Sequence, residues 1–166
     1  MHPEAYEWVS RFATDEAISV LDIGGRNING SVRPLFPNAS YTVLDIRKDQ
    51  GVDIIADAAV WHPYPRRWDL VLCCETLEHA PAWREVCVTA WRALRPGGRL
   101  VATMAHTGRP AHSGIDGGPV LHPGEQYQGI DPAALREALE AAGFADIEID
   151  VRPSPADVRA VATRPA

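Results

Sequence analysis

"SVLDIGG", Ser19–Gly25, decides how this chain folds. A short apolar run stopped by two glycines reads as a buried strand that empties into a tight turn. Glycine there lets the backbone turn sharply and lets its amides approach a ligand closely. The same shape recurs downstream. "SYTVLDIR", 40–47, reads as a second strand ending in Asp45, and "VDIIAD", 52–57, as a third ending in Asp57. "WDLVLCCE", 68–75, is a fourth, apolar almost throughout, as a strand covered on both faces should be.

Helical periodicity alternates with these runs. Residues 3–13 form a short helix, with Tyr6, Val9 and Phe12 on one face. "SVRPLF", 31–36, is a short helical segment. "APAWREVCVTAWRAL", 80–94, carries a stripe of Trp83, Val86, Ala90 and Leu94. "RPGG", 95–98, breaks that helix, and "RLVATMAH", 99–106, is a fifth strand. Residues 107–130 hold three prolines and six glycines with no periodicity, and a loop of that length in a compact domain is usually functional. Asp131 then caps a helix over 132–144, with Pro132 in its first turn and Gly143 at its stop. "DIEIDVR", 146–152, and "VRAVATR", 158–164, are closing strands, so one edge strand runs antiparallel.

Strands alternating with helices predict an α/β parallel sheet with helices on both faces. The 166 residues are expected to form one domain, 1–166, with no repeat or linker. In such sheets the ligand sits beyond the carboxyl ends of the strands. Gly24, Asp45, Asp57, Glu75 and His106 are therefore the positions to read.

Composition narrows the partners. A net charge of −6 argues against a broad phosphate-binding surface, and so against nucleic acid. No apolar run has the length of a membrane span, and the first residues lack a signal pattern. Of the three cysteines, Cys73 and Cys74 are adjacent in an apolar strand and Cys87 lies in a helical pattern, which suggests no disulfide framework. A cytoplasmic protein is the expectation. "WHPYPRRW", 61–68, reads as half-buried aromatic packing beside the third strand, with a contact surface as the other reading.

A glycine turn followed about twenty residues later by an acid at a strand end suits a nucleoside, with Asp45 on the ribose diol and Asp57 near an adenine amino group. A dinucleotide needs G-x-G-x-x-G, and "GGRNIN", 24–29, fails it from either glycine, which disfavours a nicotinamide oxidoreductase. S-adenosylmethionine has no phosphate to cradle. Here the chain resembles the class I S-adenosylmethionine-dependent methyltransferases, of the methyltransferase-11-like branch. The resemblance rests on "VLDIGG", "VLDI", "ADA", "DLVLCCETLEHAPAW" and "LRPGGRLV", in family order.

That resemblance implies a Rossmann-like, doubly wound seven-stranded sheet with its last strand antiparallel. It places the methionine part of the cofactor against Gly24 and Gly25, the ribose on Asp45, and the adenine near Ile46, Asp57 and Ala58. Asp22 is the acid that opens the glycine motif, and Cys74 borders the same crevice. The family's second and third glycines are Arg26 and Ile28 here, with Gly25 and Gly30 nearby, so Arg26 enters the cofactor set and the loop must take its own path.

The fourth strand runs into "ETLEH", 75–79. If 76–79 begin a helix, Glu78 and His79 fall on the same side as Glu75. His106, at the end of the neighbouring strand, adds a fourth donor. Glu75, Glu78, His79 and His106 suit a divalent metal such as Mg, Mn, Zn or Fe. Glu75, His79 and His106 also suit a metal-free acid/base role, and Glu78 suits the plain dipole-complementing start of a helix. The E-x-x-E-H pattern is similar to that of ubiquinone-pathway O-methyltransferases and small-RNA 2′-O-methyltransferases, which implies an ion that binds acceptor hydroxyls.

The expected reaction is methyl transfer from S-adenosylmethionine to a nucleophile, an oxygen before others, on a small-molecule or glycoconjugate acceptor. Residues 107–130 should cover that acceptor, with His112, His122, Glu125 and Tyr127 available to line its pocket. No cap domain is apparent, which leaves either an open site or closure by a homodimer or another partner. A metal-independent methyltransferase and a silent S-adenosylmethionine-binding protein are the alternatives.

Overall fold

The computed structural model describes residues 2–64 and 67–166. Among these, seven strands form one sheet: β1 (Ser19–Ile23), β2 (Ser40–Asp45), β3 (Ile54–Ile55), β4 (Trp68–Cys74), β5 (Leu94–Ala105), β6 (Ala145–Arg152) and β7 (Asp157–Thr163). They lie in the order β3-β2-β1-β4-β5-β7-β6. The strands β1 to β5 pair parallel. β7 runs antiparallel to both β5 and β6. The reversed last strand follows from chain length, because the short 153–156 link can join only antiparallel neighbours. This is the doubly wound α/β sheet expected from the sequence.

The side-chain alternation of β4 assigns the two faces. Leu70, Leu72 and Cys74 pack with Trp8 and Val9 of α1 (Pro3–Ser10). Val71 and Cys73 pack with Val86, Cys87 and Ala90 of α2 (Trp83–Ala93) and with Leu135 and Leu139 of α3 (Pro132–Ala142). Each such leucine contributes about 1.5–3 kcal/mol on burial, so β4 is anchored from both sides and its end is a firm platform. The α3 boundaries follow the expected residues: the Asp131 carboxylate accepts the Ala134 N–H, and Gly143 closes the helix at φ 101°.

Several elements differ from expectation. The first helix stops at Ser10 rather than 13, and Phe12 N–H turns back to the Val9 carbonyl. "SVRPLF" is only a 3-10 turn over Arg33–Leu35. The third strand pairs at Ile54–Ile55 alone, as the end of the sheet with no outer neighbour. Residues 76–79 do not start a helix: Leu77–His79 is a 3-10 turn, and α2 begins after Pro81. β5 starts at Leu94, so "RPGG" is a bulge within it, where pairing jumps from Trp68↔Leu94 to Leu70↔Arg99. In "WHPYPRRW", Pro65 and Arg66 lie outside the described residues. Beside them Trp61 packs edge to face on buried Trp68 at 6.0 Å, whereas Tyr64 is 93% exposed.

Candidate active site

The carboxyl ends of the central strands open into a cleft of about 850 Å³. Asp22, Gly24, Gly25 and Arg26 line it from the turn after β1. Asp45 and Ile46 line it from the end of β2, Asp57 and Ala58 from beyond β3, and Cys74 from the end of β4. The fold thus gathers every position expected to hold the nucleoside cofactor into one crevice.

The turn is packed tightly enough to require its glycines. Gly24 has φ 72°, and a methyl group there would overlap the Thr76 side chain. One on Gly25 would overlap the Asp22 carboxyl. Asp22 itself is 4% exposed and accepts the Tyr41 hydroxyl at 2.6 Å. Burial pushes its carboxyl up to about 7, against the Tyr41 hydrogen bond. Asp22 therefore braces the turn from below. Asp45 accepts the Arg47 N–H at 2.8 Å through Oδ1, and Asp57 accepts the Ala59 N–H at 2.9 Å. Asp57 serves as a turn cap as well as a wall of the cleft.

Glu75 has a different setting from the one expected. Its φ is 52°, rare for a residue with a side chain, and its N–H donates to the Thr103 carbonyl. Its carboxylate accepts the Thr103 hydroxyl at 3.0 Å and lies 2.8 Å from Arg109 Nη1. His2 Nε2 stands 3.2 Å from Glu75 and 3.2 Å from Asp157, and Arg109 also donates to Asp157 at 2.9 Å. Burial would raise the Glu75 carboxyl, but His2 and Arg109 outweigh it and pull it down to about 2. Asp157, fully buried, moves the other way, with burial as the main cause. Glu75 thus lines the cleft but is held in an ion pair with Arg109 of the 107–130 segment, and it stands outside the group of donors that converges.

This network gives stability a pH profile with a defined sign. The depressed Glu75 group contributes stability above about 4.5 that is lost as pH falls toward 2. His2, raised chiefly by its Glu75 contact, contributes stability below 6.5 that is lost as pH rises through its folded value. Urea midpoints should therefore fall on both sides of pH 5–6. Glu75→Gln should flatten the acid limb and His2→Ala the limb above pH 6.5. Unaltered limbs in both variants would exclude the network as their source.

His106 also departs from expectation. β5 does lie beside β4, but in register Cys74 pairs with Thr103, so His106 sits three residues farther on. At strand spacing that is about 10 Å beyond the level of Cys74, where β4 ends. Its ring turns to the Thr107 carbonyl at 2.8 Å and does not line the cleft. The group that does converge, among the described residues, is Glu78, His79 and His112, whose ligand atoms lie within 4.8 Å of one another. Two expected donors, Glu78 and His79, therefore meet, while His112 stands where Glu75 and His106 were anticipated.

The electrostatics of this cluster are unusual. Glu78 is 0% exposed, and no side chain hydrogen-bonds its carboxyl oxygens; only the backbone of Glu78 itself and of Ala105 comes near enough to favour the anion. Burial, then the Glu75 charge, push its carboxyl well above the usual range. Burial lowers His79 to about 4, and it lowers His112 too, so both imidazoles are neutral near pH 7. The two rings and Tyr127 meet edge to face at 4.9, 5.4 and 5.1 Å. His122 instead pairs with exposed Asp116 at the loop surface. His2 and Arg109 lacked any signal in the sequence, since neither stands at a telling spacing from the residues it joins.

The 107–130 segment is braced rather than formless. Ser113 donates to Glu125, which also accepts the Ile115 and His122 N–H groups. Gln128 ties the segment to the turn, donating from its backbone to Glu78 O and from its side chain to Ala80 O.

This fold recurs in solved structures. Haemonchus contortus phosphoethanolamine N-methyltransferase 2, in complex with S-adenosyl-L-methionine, aligns with a TM-score of 0.73 at 17% identity over 98% of this chain. This chain spans about half of that protein, 52%. Burkholderia thailandensis 1,6-didemethyltoxoflavin-N1-methyltransferase, with its acceptor and S-adenosylhomocysteine bound, aligns with a TM-score of 0.69 at 18% identity, covering 99% of this chain and 78% of that one. A Haloferax volcanii putative methyltransferase, solved with the Trm112 methyltransferase activator, gives 0.69 at 16% identity over 98% and 89%. No curated protein matches the sequence significantly. The family profile described as a methyltransferase domain matches residues 1–149, which takes in the glycine turn, the acids that end β2 and follow β3, and the Glu78–His79–His112 cluster. On that match the chain belongs to the methyltransferase domain family.

Proposed function

We propose that this chain transfers a methyl group from S-adenosylmethionine to an oxygen of a small-molecule or glycoconjugate acceptor, with a divalent cation held by Glu78, His79 and His112. The observation that carries the reading is the continuity of the cleft. It runs from the Gly24–Gly25 turn and Asp45 to the imidazoles of His79 and His112. A nucleoside and an acceptor can therefore lie end to end, which is what an in-line displacement requires.

The chain's own residues have separable tasks. Asp45 orients the ribose by accepting from its hydroxyls, and Ile46, 66% exposed, offers an apolar face to the adenine. Gly24 and Gly25 let the backbone come against the methionine part. S-adenosylmethionine supplies an electrophilic methyl on a sulfonium. A cation suits the cluster because a buried carboxyl with no side-chain partner stands within 4.8 Å of two neutral imidazoles, a donor set fit for Zn, Mn or Fe. When bound there, it would lower the pKa of an acceptor hydroxyl. A metal-free reading is favoured by one observation: neutral His79 faces the cleft and can itself accept the hydroxyl proton.

Calorimetry with S-adenosylmethionine tests the cofactor half. Asp45→Asn should weaken binding about tenfold to a hundredfold, the worth of hydrogen bonds to a charged group. Turnover over a panel of hydroxylated and amine acceptors, before and after chelation, tests the rest. Activity on amines alone would sink the oxygen reading, and activity unchanged by chelation would favour His79 acting without a metal.

A further inference from the structure

Arg26 interrupts the glycine turn with a long cation, and its reach explains why. Its guanidinium is 11% exposed. Nη2 donates to the carbonyls of Gly114 and Ile115, both at 2.8 Å. Nη1 stands 3.5 Å from the Asp49 carboxylate. Nε lies 3.9 Å from Asp45 Oδ1 and is buried without a hydrogen-bond acceptor. One planar group therefore spans the acid at the end of β2 and the tip of the 107–130 segment. Gly114, one of the two residues it holds, packs against the His79 ring: a methyl on Gly114 would come within 3.1 Å of it.

We propose that Arg26 is a positioning residue that latches the acceptor-covering segment, and that filling the crevice at Asp45 tightens the latch. The inference rests on the cofactor reading above. A guanidinium has five N–H donors in a rigid fork, so fixing one edge fixes the other. The free Nε–H faces Asp45, the carboxylate that a ribose diol would engage. A diol that draws the Asp45 carboxylate across the remaining distance completes the hydrogen bonding of Nε, which is itself shut off from solvent, and holds the fork still. The two carbonyls of Gly114 and Ile115 are then gripped at the opposite edge, and Gly114 seats the segment on His79. Cofactor binding thereby precedes and favours formation of the acceptor pocket. By linkage, an acceptor held under the segment strengthens cofactor binding by the same factor.

The braced tip makes this coupling effective. Ser113 N–H donates to the Gly118 carbonyl, and Gly117 N–H to that of Ser113, so 113–118 moves as a unit. Holding two of its carbonyls holds the whole tip. Lysine at position 26 would supply one point charge without the fork and could not serve both edges together.

Amide hydrogen exchange reads the latch directly. In the free protein, Arg26→Ala should raise exchange across 113–118 by about tenfold, the loss expected for charge-assisted hydrogen bonds. Saturating S-adenosylhomocysteine should slow exchange there in the wild type and leave it unmoved in Arg26→Ala, with Arg26→Lys restoring only a fraction. Core amides of β4 and β5, unchanged throughout, certify that each variant is folded. Equal exchange of 113–118 in free wild type and free Arg26→Ala would overturn the latch. A wild-type tip indifferent to saturating S-adenosylhomocysteine would overturn its link to the cofactor. Absence of any S-adenosylhomocysteine binding counts against the cofactor reading instead, and the free-protein comparison still judges the latch.

Discussion

Glu78→Gln should bind a divalent cation on the order of 100-fold more weakly than the wild type, since even outer partners of a metal site are worth 10- to 100-fold. Turnover should fall with it, while the fold is unharmed. The argument starts from burial. A fully enclosed carboxyl with no side-chain hydrogen-bond partner is costly as an anion, and burial holds its proton well above the usual range despite weak backbone contacts. Without a cation it is the neutral acid, and glutamine copies that acid in shape and charge. The substitution therefore removes a ligand and little else, with stability changing by less than about 1 kcal/mol at pH 5.

The pH dependence separates this from simple damage. A carboxyl whose folded pKa is raised stabilises the fold only while protonated, fully so below about 4.5, and that contribution is lost as pH rises through the folded value. Metal-free wild type should weaken toward pH 8 more steeply than Glu78→Gln, which keeps only the His2 share of that loss, so the variant becomes the more stable of the two. Zinc and manganese titrations, with urea unfolding at pH 5 and 8, make both measurements. Equal cation affinity in the two proteins removes Glu78 from the site. Turnover of chelated wild type at its original rate removes the cation from the reaction.

How much of this was legible beforehand depends on the kind of signal each residue gives. The sheet was legible because strand ends announce themselves, and "SVLDIGG", "YTVLD" and "WDLVLCCE" each join an apolar run to a glycine or an acid. Asp45 and Asp57 follow from that, since a parallel sheet aligns its carboxyl ends. The proposed donor set was only half legible because it depended on two details invisible to spacing. Residues 77–79 form a 3-10 turn instead of a helix, which turns Glu78 inward and leaves Glu75 to Arg109. The register of β5 against β4 then carries His106 past the site. Arg109 and His112 come from a segment with no periodicity, and their places are set by tertiary hydrogen bonds. Arg26 was visible as a departure from the glycine pattern, but nothing local could show that its fork reaches residues 114 and 115, nearly ninety positions away.

Gly24→Ala should destabilise the fold by about 2–5 kcal/mol, adding the cost of a left-handed residue to that of overpacking. It should also abolish detectable S-adenosylhomocysteine binding. The first cost follows from φ 72°. The second follows from Thr76, whose hydroxyl donates to Ile23 O at 3.2 Å and Cys74 O at 2.9 Å. That side chain joins the ends of β1 and β4, so a methyl on Gly24 must push apart the floor on which the methionine part would rest. Gly51 supplies the control: its φ is 85°, yet a methyl there meets nothing within 4 Å. Gly51→Ala should therefore lose only the backbone cost, about 1–2 kcal/mol. Thr76→Ala should recover about 1 kcal/mol in the Gly24→Ala background, a coupling typical of residues in contact. It removes the two nearest overlapping atoms and leaves Cβ at 2.9 Å. Urea unfolding of the four variants measures every leg of the cycle. If Gly24→Ala proves no worse than Gly51→Ala, Thr76 yields freely and the crevice floor is not the rigid joint that its hydrogen bonds describe.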